Sequence, residues 1–275
     1  LNTTGSNNVA LGAYSLDANT SGSQSIAIGA QALGAQNADV KNIAVGYRAL
    51  QALTSGDGNI GVGRDVLYSL TTGGNNVAIG NDALGNNTAS ENTAIGYVTL
   101  SSNTSGQRNT AVGAYALDAN TTADYNDAFG YKALSANTTG SANSAFGNSA
   151  LELNTTGANN CAVGYGALYA TTTGSDNTAV GSGALDANTT GAQNTAVGRS
   201  ALTNANGTHH YNTGVGYGAL GTQTTATRNT AMGRLAAQVL TTGDNNTCIG
   251  EQAGYNITNG HSNVYVGQEL QGSAV

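Results

Sequence analysis

The sequence is poor in several residue types, and each shortage excludes a class of protein. It has no proline and no tryptophan, and only two cysteines and two phenylalanines among 275 residues. Charged residues make up 8% of the chain, its net charge is −7, and no basic cluster exists that could bind nucleic acid. No apolar run approaches the roughly 18 residues of a membrane-spanning helix. The lack of proline fits a fold in which nearly every backbone N–H donates within a hydrogen-bond ladder.

Glycine, in contrast, recurs along the chain with a fixed period. The interval is 17 residues, except for one interval of 16 and one of 18. We define this glycine as position 0 of a repeat unit and number the other positions from it. A short fixed period is typical of a solenoid, in which each unit forms one coil. The sixteen marker glycines are Gly12, Gly29, Gly46, Gly63, Gly80, Gly96, Gly113, Gly130, Gly147, Gly164, Gly181, Gly198, Gly216, Gly233, Gly250 and Gly267.

The residue pattern of one unit predicts two short strands and two turns. Position −1 is always large and apolar, position −2 is mostly alanine, and β-branched residues are frequent just before the glycine. This alternation predicts a strand that ends at the glycine, and the Ala-Leu pair at +3 and +4 predicts a second, weaker strand. The Asn-Thr-Thr-Gly segment that follows is typical of a turn. We therefore predict an all-β fold, a parallel β-solenoid of sixteen 17-residue coils that forms a single repeat domain over residues 1–275.

Asparagine at position −4 is the most informative polar residue of the unit, with Ser25 as its one substitute. One asparagine at the same corner of each coil predicts a ladder in which each amide bonds to the neighbouring coil. The alternative is a turn residue that tolerates the left-handed backbone region. The ladder residues are Asn8, Asn42, Asn59, Asn76, Asn92, Asn109, Asn126, Asn143, Asn160, Asn177, Asn194, Asn212, Asn229, Asn246 and Asn263.

The apolar positions predict a thin core. We expect the large side chains at −1 and the leucine at +4 to be buried, which leaves two large apolar residues per coil against the entropy of ordering 17 residues. The alanine stripe at −2 suggests that another surface packs closely against it. We therefore predict a homotrimer of parallel chains, and a monomeric flattened solenoid is the alternative.

Few residues could carry chemistry. Cys161 and Cys248 lie five coils apart, too far for a disulfide, and are interpreted as small buried fillers. A metal site at His209, His210 and His261 is conceivable, but polar turns explain these residues better. The acidic residues form no converging pair. We predict no catalytic, cofactor-binding or metal-binding residues and no enzymatic activity.

Two further sets of residues suggest surface roles. Asn-x-Ser/Thr motifs coincide with the repeated turn, and the repeat explains them better than glycosylation does; they include Asn19, Asn103, Asn120, Asn137, Asn154 and Asn188. Tyrosine accounts for 13 residues, and five tyrosines occupy position +1, just past the glycine corner. Their rings are candidate ligand contacts that could stack on sugars, or they could stack on one another across coils. These five are Tyr47, Tyr97, Tyr131, Tyr165 and Tyr217.

The strand motifs resemble a known family of repeats. They include Asn8-Val-Ala-Leu-Gly, Ser25-Ile-Ala-Ile-Gly, Asn76-Val-Ala-Ile-Gly and Asn194-Thr-Ala-Val-Gly. These resemble the head repeats of YadA-like trimeric autotransporter adhesins over nearly the whole chain, and are similar to repeats of bacteriophage tail fibres. The resemblance implies a left-handed β-roll, a homotrimer, and a receptor that is a host surface, a matrix protein or a glycan. The unit here is longer than the usual repeat of that family, by an extra Asn-Thr-Thr-Gly-type turn.

The sequence thus predicts a rigid extracellular fibre segment for adhesion or receptor binding, on a bacterial cell surface or a virion. The alternatives are a solenoid that binds ice or polysaccharide through threonine ladders, and a passive spacer. The chain opens in the middle of a repeat, which is typical of a segment of a longer protein. From residue 235 onwards the leucine at +4 is replaced, so residues 235–275 are predicted to form a transition to another domain or a cap.

Overall fold

The computed structural model describes residues 2–205 and 209–269, and all the regular secondary structure in these residues is β-strand. The chain divides into two compact units, residues 1–139 and 140–275, and each is described by itself. Both are built from short parallel strands that recur once per repeat unit. The predicted parallel β-solenoid is therefore confirmed, whereas the left-handedness of the coil stays a prediction.

Each coil contributes one strand of three residues, at positions −3 to −1. The first unit contains β1 (Val9–Leu11), β2 (Ile26–Ile28), β3 (Ile43–Val45), β4 (Ile60–Val62), β5 (Val77–Ile79), β6 (Thr93–Ile95), β7 (Thr110–Val112) and β8 (Asp127–Phe129). The second contains β9 (Ser144–Phe146), β10 (Cys161–Val163), β11 (Thr178–Val180), β12 (Thr195–Val197), β13 (Thr213–Val215), β14 (Thr230–Met232), β15 (Thr247–Ile249) and β16 (Val264–Val266).

Neighbouring strands pair in parallel with identical repeat positions in register. Ala162 of β10, for example, lies opposite Ala179 of β11. The register holds even across the unit that is one residue longer, where Ala196 of β12 lies opposite Gly214 of β13. The strand predicted just before the glycine is therefore confirmed, and each column of side chains holds one repeat position.

The second strand predicted at the Ala-Leu segment is wrong, because this segment forms consecutive turns. Leu117 at +4 has a φ of 52° and Tyr115 at +2 has a φ of 60°, both in the left-handed region. In each turn a backbone N–H donates to the carbonyl oxygen three residues earlier, as Asn120 N–H does to Leu117 O at 3.1 Å. This left-handed backbone conformation costs a leucine residue about 1 kcal/mol or more of free energy. Burial of its side chain and a 3.0 Å bond from its N–H to Ala133 O of the next coil offset that cost.

The core of each coil is made of small residues and one leucine. In the coil of β10, Ala162 at −2, Ala167 at +3 and Leu168 at +4 have no exposed surface, whereas Val163 at −1 is 37% exposed. The expectation that the −1 side chains are buried is therefore wrong. So is the premise that the alanine stripe packs against another surface, because it faces the coil's own interior. Successive strand residues point to opposite faces, and inside so narrow a coil only methyl groups fit opposite the leucine.

The large strand residues instead form what we call the outer strand face, made of the side chains at −3 and −1. Many of them are more than a third exposed: Val9, Leu11, Ile43, Ile60, Ile79 and Ile95 in the first unit, and Phe146, Val163, Val180, Val197, Met232, Ile249, Val264 and Val266 in the second. Asp127 at −3 lies partly exposed on this face, so its carboxylate keeps contact with water. The same face carries the partly exposed Cys161.

Candidate functional site

The asparagine column at position −4 forms the predicted hydrogen-bond ladder. The amide of Asn177 donates to Asn160 Oδ1 at 3.1 Å and to Gly191 O at 2.9 Å. Its own Oδ1 accepts from the backbone N–H of Asn194 at 3.0 Å and from the Asn194 amide at 3.1 Å. Asn177 is 1% exposed. The ladder is thus confirmed, and because it is buried it supports the coils rather than a ligand.

A second buried asparagine column lies at position +7, where the sequence predicts a turn. Asn120 has no exposed surface, and its amide donates to Asn103 Oδ1 at 2.9 Å and to Ala123 O at 3.1 Å. This column contains the six Asn-x-Ser/Thr asparagines named in the sequence analysis, and all six are buried in the folded chain. The signal that could have revealed it is the substitution pattern, since leucine replaces asparagine at Leu53, Leu70 and Leu240. Leucine is typical of a buried column and not of an exposed turn.

The two columns compensate for each other where the repeat is irregular. Ser25 replaces asparagine at −4 and is too short to reach the neighbouring coil on its own. In the same coil the longer Gln36 replaces asparagine at +7. Its amide nitrogen donates to Ser25 Oγ at 2.8 Å, and its oxygen accepts from the Asn42 amide at 3.1 Å. At this irregular coil the buried side chains of Ser25, Gln36 and Asn42 therefore stay hydrogen-bonded.

Gln223 is a buried polar residue at +7 for which no such compensation exists. It has no exposed surface, and within residues 2–205 and 209–269 no hydrogen bond reaches either atom of its amide. The adjacent members of its column are Ala205 and Leu240, which offer no side-chain partner. An unpartnered buried amide costs about 1–3 kcal/mol.

We therefore expect Gln223→Leu to raise the free energy of unfolding by about 1–2 kcal/mol, because it replaces an unpartnered amide by an apolar side chain of similar size. Urea denaturation followed by circular dichroism measures the change. The matched control is Gln268→Leu at an exposed position, which should leave stability within about 0.5 kcal/mol of the original. A loss of stability in Gln223→Leu would contradict the prediction.

The threonine pair of the turn is only partly available to a ligand. The first threonine, at +8, donates its hydroxyl to the backbone carbonyl of the same threonine in the next coil, as Thr155 does to Thr172 at 2.9 Å and Thr172 to Thr189 at 3.1 Å. The second, such as Thr156 or Thr173, is exposed. The hydroxyls of the first threonine column are thus engaged in hydrogen bonds between coils. The hypothesis that threonines bind ice or polysaccharide stays a prediction for the second column alone.

The five tyrosines at +1 are all exposed, to 47%, 50%, 47%, 68% and 50% in chain order. In the first unit they pack across coils, since the Tyr115 ring lies edge-on to Tyr97 at 5.4 Å and to Tyr131 at 6.1 Å. The ring of Tyr47 has the Arg48 guanidinium 5.1 Å from its centroid. The Arg199 guanidinium likewise lies 5.9 Å from the centroid of Tyr217. Tyr165 is the most exposed of the five and makes no ring contact of this kind with the described residues. The structure therefore brings four of these rings beside Tyr115 or beside a cation, and leaves Tyr165 open.

The charged groups of the first unit form local pairs around these rings. Asp65 joins Arg48 at 2.6 Å and Arg64 at 2.9 Å, and Arg48 lies 4.7 Å from the centroid of Tyr68. Hydrogen bonding to Asp65 raises the pKa of Arg48. These pairs tie neighbouring coils together at the surface. They contain no nucleophile or acid–base pair arranged for catalysis.

The histidines and cysteines contribute to the coil structure. His210 Nδ1 accepts the backbone N–H of Ala192 at 3.0 Å, and His261 Nδ1 accepts that of Asp244 at 3.0 Å. His209 is buried. Cys248 is a buried filler as predicted, and burial raises the pKa of its thiol to about 11. The same prediction is wrong for Cys161, which is partly exposed.

Two kinds of special site are absent from the part of the chain that the structure describes. No group of three or more histidine, cysteine, aspartate or glutamate side chains is placed so that it could hold a metal ion. No helix there has the length and apolarity needed to cross a bilayer.

Comparison with known proteins assigns no family to the chain. No protein-family model matches it, and no curated protein matches its sequence.

Proposed function

We propose that the chain is a segment of an extracellular trimeric fibre, on a bacterial surface or a virion, that serves adhesion or receptor binding. The observation that carries the proposal is the outer strand face. Its side chains at −1 are large and apolar but remain 37–45% exposed in β9 to β12, β14 and β15 of a single chain. Contiguous apolar surface of this kind marks an interaction site, and burying it against identical chains removes it from water.

Identical repeat geometry supports assembly from copies of the same chain. Because equal positions lie in register on successive coils, the outer strand face repeats the same apolar pattern at every step. A second and a third chain, aligned in parallel, offer matching columns at the same spacing. The trimer therefore rests on the exposed −1 column and not on the buried alanines at −2. The resemblance of the strand motifs to the head repeats of trimeric adhesins and to phage tail fibres supports the stoichiometry of three.

Lysines on the outer strand face should break the assembly. We expect the unaltered chain to sediment at three times its 27.2 kDa mass, and Val163→Lys/Val180→Lys to sediment at the mass of one chain, because charges in the apolar contact are costly to desolvate. The matched control is Leu153→Lys, which changes a side chain of similar exposure on a different face and should keep the larger mass. Sedimentation equilibrium without denaturant makes the measurement.

The same variant tests the adhesive role. Three linked chains present each weak contact several times, so the single-chain variant should be retained on an immobilised receptor surface at least about 10-fold less than the trimer. A one-chain mass for the unaltered protein contradicts the trimer. Equal retention of the two species contradicts adhesion by multivalency.

A further inference from the structure

The second unit carries a surface groove that the repeat does not explain. It encloses about 470 Å³ and lies beside the turns that follow β9 to β12. The described residues that line the groove are polar, aromatic or glycine, and none of them has an aliphatic side chain. The residues that matter here are Glu152, Tyr165, Tyr169, Ser182, Asp186 and Arg199. The groove is lined by turn residues and by no side chain of the outer strand face.

Two glycines create this groove. Position +2 carries a side chain in most coils, such as Tyr115 and Lys132, but in two successive coils of the second unit it is Gly166 and Gly183. A Cβ at Gly166 would meet no atom within 4 Å. A Cβ at Gly183 would lie 3.7 Å from Asp186 Oδ2. The missing side chains therefore leave open space above the Asp186 carboxylate.

Asp118 shows what the same place looks like when it is filled. It occupies the same repeat position as Asp186, and burial raises the pKa of both carboxyls above the ordinary value. Beside Asp118, however, position +2 holds Tyr115, and the charge of Lys132 lowers the pKa of the Asp118 carboxyl in part. Asp186 has no such neighbour at +2, since that position is Gly183 in its own coil. At both aspartates no hydrogen bond from the described residues reaches Oδ1, so the difference between the two places lies at +2. The glycines, rather than the aspartate alone, distinguish the groove.

The groups around the open space suit one class of ligand. Tyr165 is 68% and Tyr169 39% exposed, and aromatic rings of this kind present an apolar face together with a polar hydroxyl tip. The hydroxyl of Ser182 can donate to or accept from ligand hydroxyls, and the carboxylate of Asp186 can accept hydrogen bonds from them. A sugar ring has apolar C–H faces and a rim of hydroxyls, which matches this combination. The described lining has no aliphatic pocket that could hold the apolar side chains of a peptide.

We propose that this groove binds a short neutral oligosaccharide, with the Tyr165 and Tyr169 rings against the sugar faces and Ser182 and Asp186 bonded to the sugar hydroxyls. The inference rests on the proposed function, since it names the ligand class of the adhesive surface. Its volume lies within the range of roughly 300–1,000 Å³ that is typical of small-molecule sites.

The test is a titration of the full chain with maltotriose, cellotriose and chitotriose, followed by NMR shifts of the tyrosine rings and by calorimetry. At least one trisaccharide should bind saturably and shift the Tyr165 and Tyr169 signals. Gly166→Tyr should weaken this binding at least 10-fold, because the new ring fills the groove. The variant should fold, since Tyr115 occupies the same repeat position with a φ of 60° against 62° for Gly166.

The matched control is Gln252→Tyr, which adds the same ring at position +2 outside the groove and should bind like the unaltered chain. The inference is overturned if none of the three sugars binds saturably, or if Gly166→Tyr binds the sugar with unchanged affinity. It is also overturned if a selected peptide binds the unaltered chain and Gly166→Tyr abolishes that binding. The mass of the same sample separates the two proposals. A three-chain mass without sugar binding overturns only the groove, and a one-chain mass with sugar binding overturns only the trimer.

Discussion

Gly164→Ala should lower the free energy of unfolding by more than about 3 kcal/mol, whereas Gly166→Ala, two residues later, should change it by no more than about 1 kcal/mol. A Cβ at Gly164 would lie 2.7 Å from the carbonyl carbon and 2.8 Å from the carbonyl oxygen of Gly181 in the next coil. The φ of Gly164 is 131°, where alanine is strained. The marker glycine is therefore required by both the backbone conformation and the approach of the next coil.

Gly166 is the internal control for this comparison. Its φ of 62° lies in the left-handed region that non-glycine residues occupy at the same position of other coils, and its surroundings are open. Urea denaturation of both variants, with the slope of the transition checked against the original chain, gives the two free energies. Equal losses in the two variants would mean that glycine serves only its turn and that the close contact between coils is unimportant.

The second large effect concerns the ladder at −4. Asn177→Ala should cost about 3 kcal/mol, because it leaves the buried backbone N–H of Asn194 without the oxygen that accepts it at 3.0 Å and removes the donor to Asn160 Oδ1. Asn148→Ala, at an exposed position of the same unit, should stay within about 0.5 kcal/mol. Thermal and urea unfolding of both variants measure the difference.

Hydrogen exchange adds a local measurement to this prediction. The Asn194 amide hydrogen should exchange faster in Asn177→Ala than in the unaltered chain, and amides several coils away should not. A uniform loss of protection across the second unit would instead indicate that the ladder acts on the unit as a whole. Stability equal to that of Asn148→Ala would show that water or a neighbouring group replaces the lost amide.

The period and the strand could be predicted from sequence because both depend on local spacing. One residue type every 17 positions fixes the coil, and alternation before the glycine fixes the strand. Which face of the strand points into the coil cannot be predicted in the same way. Alternation separates Ala162 from Val163 but does not say which of the two faces inward, and size suggested the wrong one. The narrow interior decides, since it has room for a methyl group but not for a valine.

The remaining errors also have physical reasons. The sequence predicts a strand at Leu117, whereas the residue lies in a turn with a positive φ that leucine rarely adopts. Packing between coils stabilises the turn there, and it is not visible in the local sequence. The Asn-Thr-Thr context predicts a polar turn at Asn120, and nothing in that context shows that the side chain is completely buried. The groove could not be predicted, because Gly166 and Gly183 look like ordinary variation until the three-dimensional neighbours of position +2 are known.

The register between coils has a consequence for how such a gene can change. Ladder bonds join residues 16, 17 or 18 positions apart, as in Asn92 to Asn76, Asn177 to Asn160 and Asn212 to Asn194. Every bond of this kind is made with the adjacent copy and with no distant one. Unequal recombination between neighbouring copies within either unit therefore removes or adds one complete set of partners at a time. The length of the protein can therefore change between generations by whole repeats. The gain or loss of a single codon in a turn leaves the ladder bonds to the copies on either side intact.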